Sequence, residues 1–388
     1  MVRAAAVLIL ILGAQDHDKR RDELAAKLES LRGLKFKTPL VLREGTRKEY
    51  AAYVLENAKR VYGSDLAAAE KGLKALGLIP PKLRLEVALT AQAGFGTKVF
   101  CTGGEVLLLD PMAGDEWILN KMDLGLVDQH YAPPPGADSF DAQMAWAALR
   151  MGDAEVVKHQ IWTSGKISDE TVKKVAAETA AWEKNDSKLA SAVMPRLFVR
   201  GADFSWRRGA VFALGLQVQG KLDAAYARPP ASTKQVIHPD KYAANEKPVQ
   251  IEAAALRDFL AAQEYKPVYR TVLGELGVAV VLETHFPQEE LGAASEGWAG
   301  DSFLVFEKEG AAPLVVWITD WDREEDAVEF QAQAFRLMKR VEPPDSELGA
   351  PVLRQKSLVL FAIHVPKDLQ DGLLEAAGKC TRTRAKSY

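Results

Sequence analysis

Apolar residues recur at every third or fourth position along much of the chain, which is the spacing of one face of an α-helix. A clear instance lies between residues 48 and 62, where the apolar positions are Ala51, Val54, Leu55, Ala58 and Val61. The same periodicity predicts helices over residues 22–31, 66–76, 115–130, 139–151, 169–182 and 206–219. The first half of the chain is therefore predicted to be mostly helical.

Short apolar runs bounded by turn residues predict the strands. Before residue 120 these are residues 40–42, and residues 99–100 and 106–109 around the turn Gly103-Gly104. After Gly297 the pattern changes, and it predicts strands at 303–306, 314–318 and 358–364, with helices at 323–338 and 369–377. Asp322 is the predicted N-cap of the first of these helices. The predicted fold class is α+β, with a mostly helical core, short strands and a C-terminal strand-strand-helix portion.

The first fifteen residues have the order of a secretory signal peptide. A basic start at Arg3 precedes the apolar run Ala4–Leu12, and the small and polar residues Gly13-Ala14-Gln15 follow. The run is far shorter than the roughly 20 residues needed to span a bilayer, and no other apolar run approaches that length. The alternative is a buried N-terminal strand. We predict an exported protein, periplasmic or extracellular, with no membrane span in the mature chain.

Composition narrows the function classes. Hydrophobic residues make up 48% and charged residues 27% of the chain, which is ordinary for a globular protein. The net charge of -3 lacks the excess of positive charge that is typical of nucleic-acid-binding proteins, so no nucleic-acid partner is predicted. Two cysteines, Cys101 and Cys380, are open to a single disulfide in an oxidising compartment, with two buried thiols as the alternative. Neither lies in a CxxC, which leaves redox catalysis and a zinc ribbon unsupported.

Five short motifs carry a family resemblance. In chain order they are Asp128-Gln129-His130-Tyr131, Gly152-Asp153-Ala154, RPPASTKQVIHPDKY at 228–242, GELG at 274–277 and GWAGD at 297–301. Over residues 49–330 the chain resembles exported bacterial HExxH (gluzincin-like) zinc metallopeptidases. In that family a helix reading HELxHALQDQHF precedes an EGDA motif, and similar loop, GELG and GWGD-type motifs follow.

The family motif has a clear chemical logic. Two His four residues apart lie on one helix face and chelate zinc, while the Glu after the first His activates the bound water. A Glu on a following helix is the third protein ligand. The resemblance implies that this chain has Asn120-Lys121-Met122-Asp123-Leu124 in place of HExxH, and Met151 in place of the third ligand.

The replaced positions argue against zinc. Asn120 offers a poor ligand, Leu124 offers none, and the thioether of Met151 is unsuited to catalytic zinc. Lys121 adds a positive charge where a dication would lie. The resemblance further implies that the helix ending at His130 and the helix ending at Met151 pack side by side, so that these side chains converge.

We therefore predict a non-catalytic pseudo-peptidase without a cofactor, with a peptide-binding, protein-binding or scaffold role in the cell envelope or outside the cell. The alternative is an active metal-dependent hydrolase with a rebuilt zinc site, for which His130, His159 and Asp128 are the candidates. The motif residues that remain are Asp128, Gln129, His130, Gly152, Asp153 and His238. His130 is expected to be structural or to lie outside the coordination sphere, and His238 to be a buried hydrogen-bonding residue.

The resemblance and the patterns together predict four parts. They are a signal peptide at 1–15, an N-terminal helical and small-sheet region at 16–110, a degenerate metallopeptidase-like helical core at 111–296, and a C-terminal α/β portion at 297–388.

Overall fold

The structure is a computed structural model that describes residues 2–92, 96–185, 194–342 and 348–384. It is 55% helical and 17% strand, with the strands in several small sheets, which confirms the predicted α+β class. Within the described ranges, no helix combines the length and the apolar character needed to cross a membrane.

Sixteen helices are described. They are α1 (Val2–Arg32), α2 (Arg47–Tyr62), α3 (Leu66–Ala75), α4 (Leu85–Gln92), α5 (Asp115–His130), α6 (Phe140–Trp162), α7 (Asp169–Asn185), α8 (Arg196–Asp203), α9 (Gly209–Val218), α10 (Ala224–Ala227), α11 (Thr233–Ile237), α12 (Pro239–Ala243), α13 (Ala254–Ala262), α14 (Gly274–His285), α15 (Glu324–Val341) and α16 (Gln370–Ala377). A π-helical turn, Phe204–Arg208, joins α8 to α9.

The strands form one large sheet and three small ones. They are β1 (Val41–Glu44), β2 (Val99–Thr102), β3 (Glu105–Leu108), β4 (Val249–Glu252), β5 (Lys266–Thr271), β6 (Trp298–Glu307), β7 (Leu314–Trp321), β8 (Leu348–Gly349), β9 (Val352–Gln355), β10 (Leu358–Ile363), β11 (Val365–Pro366) and β12 (Thr381–Arg384). The antiparallel five-stranded sheet has the order β5-β6-β7-β10-β9, and the three-stranded sheet has the order β1-β3-β2. Strands β5 and β6 are hydrogen-bonded neighbours on either side of the predicted boundary at residue 297.

The three central strands of the five-stranded sheet, β6, β7 and β10, are buried on both faces. On β6, Phe303 and Val305 enter a core shared with helices α3, α6, α9, α14 and α15. Leu304 and Phe306 on the same strand enter a second core with α13 and α16. A third core lies between α1, the three-stranded sheet and α5. Strands covered on both faces need near-continuous apolar runs, which is why β6 and β7 stand out in the sequence.

Helix α6 continues to Trp162 rather than ending at Met151 as the sequence predicted. The glycine that follows, Gly152, is not a terminator here. A Cβ at Gly152 would overlap the carbonyl oxygen of Gly209 at the start of α9, so the glycine permits two helix backbones to approach closely. The predicted helix over residues 206–219 is likewise part π-helical turn and part α9.

Two further predictions are corrected. Cys101 and Cys380 are both free, because Cys101 packs in the third core and Cys380 against the second, so the possible disulfide does not form. Asp322 does not cap α15, whose N-cap residue is Arg323. The Asp322 carboxylate instead accepts a hydrogen bond from Lys234 at 2.6 Å.

Candidate functional site

Helices α5 and α6 lie side by side, as the resemblance implied, and they run antiparallel. Toward the start of α5, Asn120 Nδ2 donates to Glu155 Oε1 at 3.0 Å. At the end of α5, Asp128 forms an ion pair with Arg150. Leu124 lies midway between these contacts, so it faces the level of residues 152–153 on α6, next to Met151. The replaced positions therefore lie along one helix pair.

The carboxylate beside Asn120 between α5 and α6 comes from Glu155, which is in none of the five sequence motifs. Glu155 is 5% exposed, and besides the hydrogen bond from Asn120 it forms an ion pair with Lys158, which is 4% exposed. The Lys158 ammonium is therefore paired with the carboxylate that contacts Asn120, the residue that the resemblance aligns with the first His of the family motif. The readable signal was two opposite charges three residues apart, with only apolar residues between and directly before them, at residues 154–158.

Three tryptophans surround the buried Lys158 ammonium. Its nitrogen lies 5.3 Å from the ring centroid of Trp117, 5.1 Å from that of Trp162 and 5.5 Å from that of Trp206. Trp206 belongs to the π-helical turn between α8 and α9. Cation–π attraction compensates part of the lost hydration of the ammonium, which explains how a lysine can be stable in this interior position.

The side chains at the positions that the resemblance aligns with the zinc ligands do not fit zinc. The Asn120 amide is hydrogen-bonded to Glu155, Leu124 is apolar, and Met151 offers only a thioether. The nearby Glu155 carboxylate already holds Lys158. In the described parts of the chain, no group of three or more His, Cys, Asp and Glu side chains is placed to hold a metal ion.

The alternative set His130, His159 and Asp128 is not brought together. Asp128 pairs with Arg150, which precedes His159 by nine residues on α6, or about 13 Å along the helix axis. His130 lies at the opposite end of α5 from Glu155, with Nε2 2.8 Å from the carbonyl oxygen of Lys35. These three residues therefore do not form a metal site in the structure.

The retained Gln129 anchors the segment between α1 and β1. Its Oε1 accepts from the backbone N–H groups of Lys37 at 2.7 Å and Thr38 at 3.2 Å, and its Nε2 donates to the carbonyl oxygen of Thr38 at 2.9 Å. The Lys37 ammonium donates to the carbonyl oxygen of Gln129 at 2.6 Å. With the His130 contact to Lys35, these bonds give the motif a structural role in this chain.

A buried charge cluster lies on the other side of α5 and α6. Arg32, from the last turn of α1, lies 3.2 Å from Asp123 Oδ1 and 2.8 Å from Asp153 Oδ2. Both carboxyl groups are fully buried, and Tyr226 donates its hydroxyl to Asp153 at 2.6 Å. Neither carboxyl oxygen of Asp123 has a hydrogen-bond partner, although Arg32 lies within ion-pairing distance. Burial, reinforced by the charge of Asp153, raises the pKa of Asp123 well above its ordinary value.

The later motifs converge on a second buried cluster at the start of α6 and α14, which we call the motif cluster: Asp141, Thr233, His238, Glu275 and Asp301. Asp141 accepts from the backbone N–H of Thr233 at 2.7 Å and from its hydroxyl at 2.5 Å. His238 Nε2 lies 2.8 Å from Glu275 Oε1, and the hydrogen bond to Glu275 raises the pKa of His238. His238 is half-buried and makes the predicted hydrogen bond, with Glu275 as its partner.

Asp301 is the most completely bonded carboxylate of the motif cluster. It accepts from the backbone N–H groups of Leu273 and Gly274, both at 2.9 Å, and from the indole N–H groups of Trp298 at 3.0 Å and Trp317 at 3.1 Å. Gly274 has a φ of 73°, and a Cβ there would overlap Asp141. The GELG and GWAGD motifs therefore act together to start α14 against β6.

The motif cluster should make stability pH-dependent. Burial raises the pKa of Asp141 to about 7, so its neutral form is favoured in the folded state. The resulting stabilisation is complete below the ordinary pKa of about 4 and is lost as the pH rises toward 7. Asp141→Asn keeps an oxygen that can accept both bonds from Thr233. We expect the stability of the variant relative to the wild type to rise by at least about 1.4 kcal/mol, the free energy of one pKa unit, between pH 4 and 7.

Denaturant unfolding at several pH values measures this difference. Asp138→Asn, an exposed aspartate just before α6, is the control and should show no change with pH. A constant difference between Asp141→Asn and the wild type across this range would contradict the assignment.

Residues 263–358 match DUF8575, a domain of unknown function. This stretch contains Glu275 and Asp301 of the motif cluster and does not reach α5 or α6. No curated protein and no solved structure matches the chain. The resemblance to zinc metallopeptidases accordingly stays a prediction.

Proposed function

We propose that this chain is a non-catalytic relative of the HExxH zinc metallopeptidases that is exported and binds a peptide or protein. The observation that carries the proposal is the Asn120–Glu155–Lys158 arrangement, in which an ammonium lies on the carboxylate that contacts the first His position. A lysine provides positive charge but has no open coordination position, so it cannot bind and ionise a water as a Lewis acid does.

The neighbouring elements support a binding role. Strand β2 is at the edge of its sheet, whose order is β1-β3-β2, and α5 packs beside it. An extended peptide can add to such an edge through backbone hydrogen bonds. The rings of Tyr50 and Tyr53 lie against the ring of Phe100 on β2 at tilted angles, with centroid distances of 5.1 and 5.4 Å, and form an aromatic group beside this strand. The alternative, an active metal hydrolase, has no comparable support, since its candidate ligands lie apart.

Zinc binding tests the proposal. We expect the purified wild type to retain no stoichiometric zinc after exposure and dialysis, as measured by elemental analysis. We expect a variant combining Asn120→His, Lys121→Glu, Leu124→His, Met151→Glu and Lys158→Met to bind zinc, because it restores the family ligands and removes the competing ammonium. Zinc at 100 times its Kd should then stabilise this variant by about 2.7 kcal/mol.

The matched control is Lys158→Met alone, which frees Glu155 but adds no ligand and should not respond to zinc. One zinc per wild-type chain that is lost on Glu155→Ala would overturn the proposal. An equal response of the five-residue variant and of the control would show that the family ligands were not at these positions.

A further inference from the structure

Helix α15 has apolar side chains on two opposite faces. The inner face is buried in the first core and consists of Ala327, Phe330, Ala334 and Leu337. The outer face carries Val328, which is 48% exposed, and Phe335, which is 43% exposed, with the exposed Ala332 between them. A surface helix needs only one apolar stripe to attach it to a core. The outer stripe, Val328, Ala332 and Phe335, is therefore not needed for the fold of the single chain.

The outer stripe has the spacing of a contact between two helices. Val328, Ala332 and Phe335 are four and three residues apart, so they follow one side of α15 over two turns. The small Ala332 in the middle permits a second helix backbone to approach closely, with a larger side chain on either side. The other large hydrophobic side chains that are exposed in the described parts of the chain lie on five different segments: Val41, Val87, Met112, Trp162 and Trp182.

Opposite charges lie at the two ends of the outer stripe. Glu325 precedes it and Lys339 follows it, each seven residues from Ala332, which is about 10.5 Å along the helix axis. Both side chains are exposed, and within the described ranges neither takes part in an ion pair. A two-fold axis at Ala332 would therefore place Glu325 of each copy opposite Lys339 of the other. Such mutual contacts define a symmetric interface between identical chains.

We propose that the outer stripe of α15 binds a second copy of this chain, with the two α15 helices antiparallel across a two-fold axis at Ala332. The apolar middle and the opposite charges at equal distances from it make this face complementary to itself. A contact about 27 Å long and one helix wide is smaller than the roughly 800 Å² per partner of a standard interface. The dimer is therefore expected to be weak and to dissociate on dilution, and it is independent of the binding role proposed above.

Sedimentation velocity over a dilution series of the purified chain tests the dimer. We expect the weight-average sedimentation coefficient of the wild type to rise with protein concentration. Phe335→Ser should weaken the dimer at least about tenfold in Kd, because the apolar side chain is lost from both copies. The matched control is Val87→Ser on α4, where the wild-type side chain is 54% exposed and lies outside α15. This control should dimerise like the wild type, and circular dichroism checks that each variant is folded.

Charge reversal tests the antiparallel orientation. Glu325→Lys and Lys339→Glu each place like charges opposite one another at both ends of the contact, so each should weaken the dimer by at least about threefold in Kd. The two substitutions in one chain restore the opposite charges and should recover the wild-type Kd. A mixture of the two single variants should also associate. In a parallel pair, residue 325 of one copy would face residue 325 of the other, and neither single variant would dimerise less well than the wild type.

Three results would contradict the proposal. A wild type that stays monomeric up to its solubility limit would overturn the dimer. A dimer of equal strength in the wild type and in Phe335→Ser would place the contact outside α15 and overturn the role of the outer stripe. A dimer that Phe335→Ser weakens but that neither charge variant affects would overturn the antiparallel orientation.

Discussion

Arg32→Met is expected to lower the free energy of unfolding by about 3–5 kcal/mol, the usual cost of removing one partner from a buried ion pair. Arg32 is the cation between two fully buried carboxyl groups, those of Asp123 and Asp153. Methionine fills a similar volume, so the effect arises from the uncompensated charge. Denaturant unfolding at pH 7 measures it.

Two further variants make this result specific. Asp223, the third partner of Arg32, is 64% exposed at its side chain and lies 3.4 Å away, so Asp223→Asn should cost less than about 1 kcal/mol. Adding Asp153→Asn to Arg32→Met should recover part of the loss, since it removes the buried charge that Arg32 contacts at 2.8 Å and keeps an oxygen that can accept from Tyr226. Full stability of Arg32→Met, or no recovery in the double variant, would show that the cluster does not depend on charge compensation.

Asp301→Ala is expected to lower the free energy of unfolding by about 4 kcal/mol or more. Four buried N–H donors would lose their acceptor, and each unsatisfied donor costs about 1–3 kcal/mol. Burial raises the pKa of Asp301 to about 6, so at pH 7 the carboxylate is costly by itself, and the four hydrogen bonds offset that cost. Because two of the donors are at the start of α14, we also expect faster amide exchange in its first turn.

The adjacent residue on the same strand is a matched control. Ser302 is equally buried, but its hydroxyl has no hydrogen-bond partner. Ser302→Ala should therefore leave the stability unchanged or increase it slightly, since an unsatisfied polar group is removed. A similar loss in both variants would mean that packing, rather than the hydrogen bonds of Asp301, stabilises this part of the sheet.

Periodicity predicted the elements whose formation depends on near neighbours. The bounds of α5 match the prediction of residues 115–130, and the hairpin of β2 and β3 turns at Gly103-Gly104 as expected. The pattern missed α14, which begins at Gly274 in a left-handed conformation. That start is set by Asp301, 27 residues later in the chain, and by the close approach of Asp141.

The sequence pointed to the two helices that carry the candidate site, but not to the side chains that interact there. Motif spacing pointed to α5 and α6, yet Glu155 and Lys158 were overlooked because no motif includes them. Their importance comes from the contact between Asn120 and Glu155, which joins two helices at a separation of 35 residues. The proposed disulfide failed for a similar reason, since a count of cysteines does not tell which core each one enters.

The sequence by itself determined the α+β class, most helix positions and the residue types at Asn120, Leu124 and Met151, the positions that the resemblance aligns with zinc ligands. These properties depend on residue identity and on spacing within a few residues, where backbone geometry is regular. Only the tertiary structure decided which charges meet. Arg32 reaches Asp153 across 121 residues and Thr233 reaches Asp141 across 92, because hydrophobic packing of distant elements places polar groups in reach of one another.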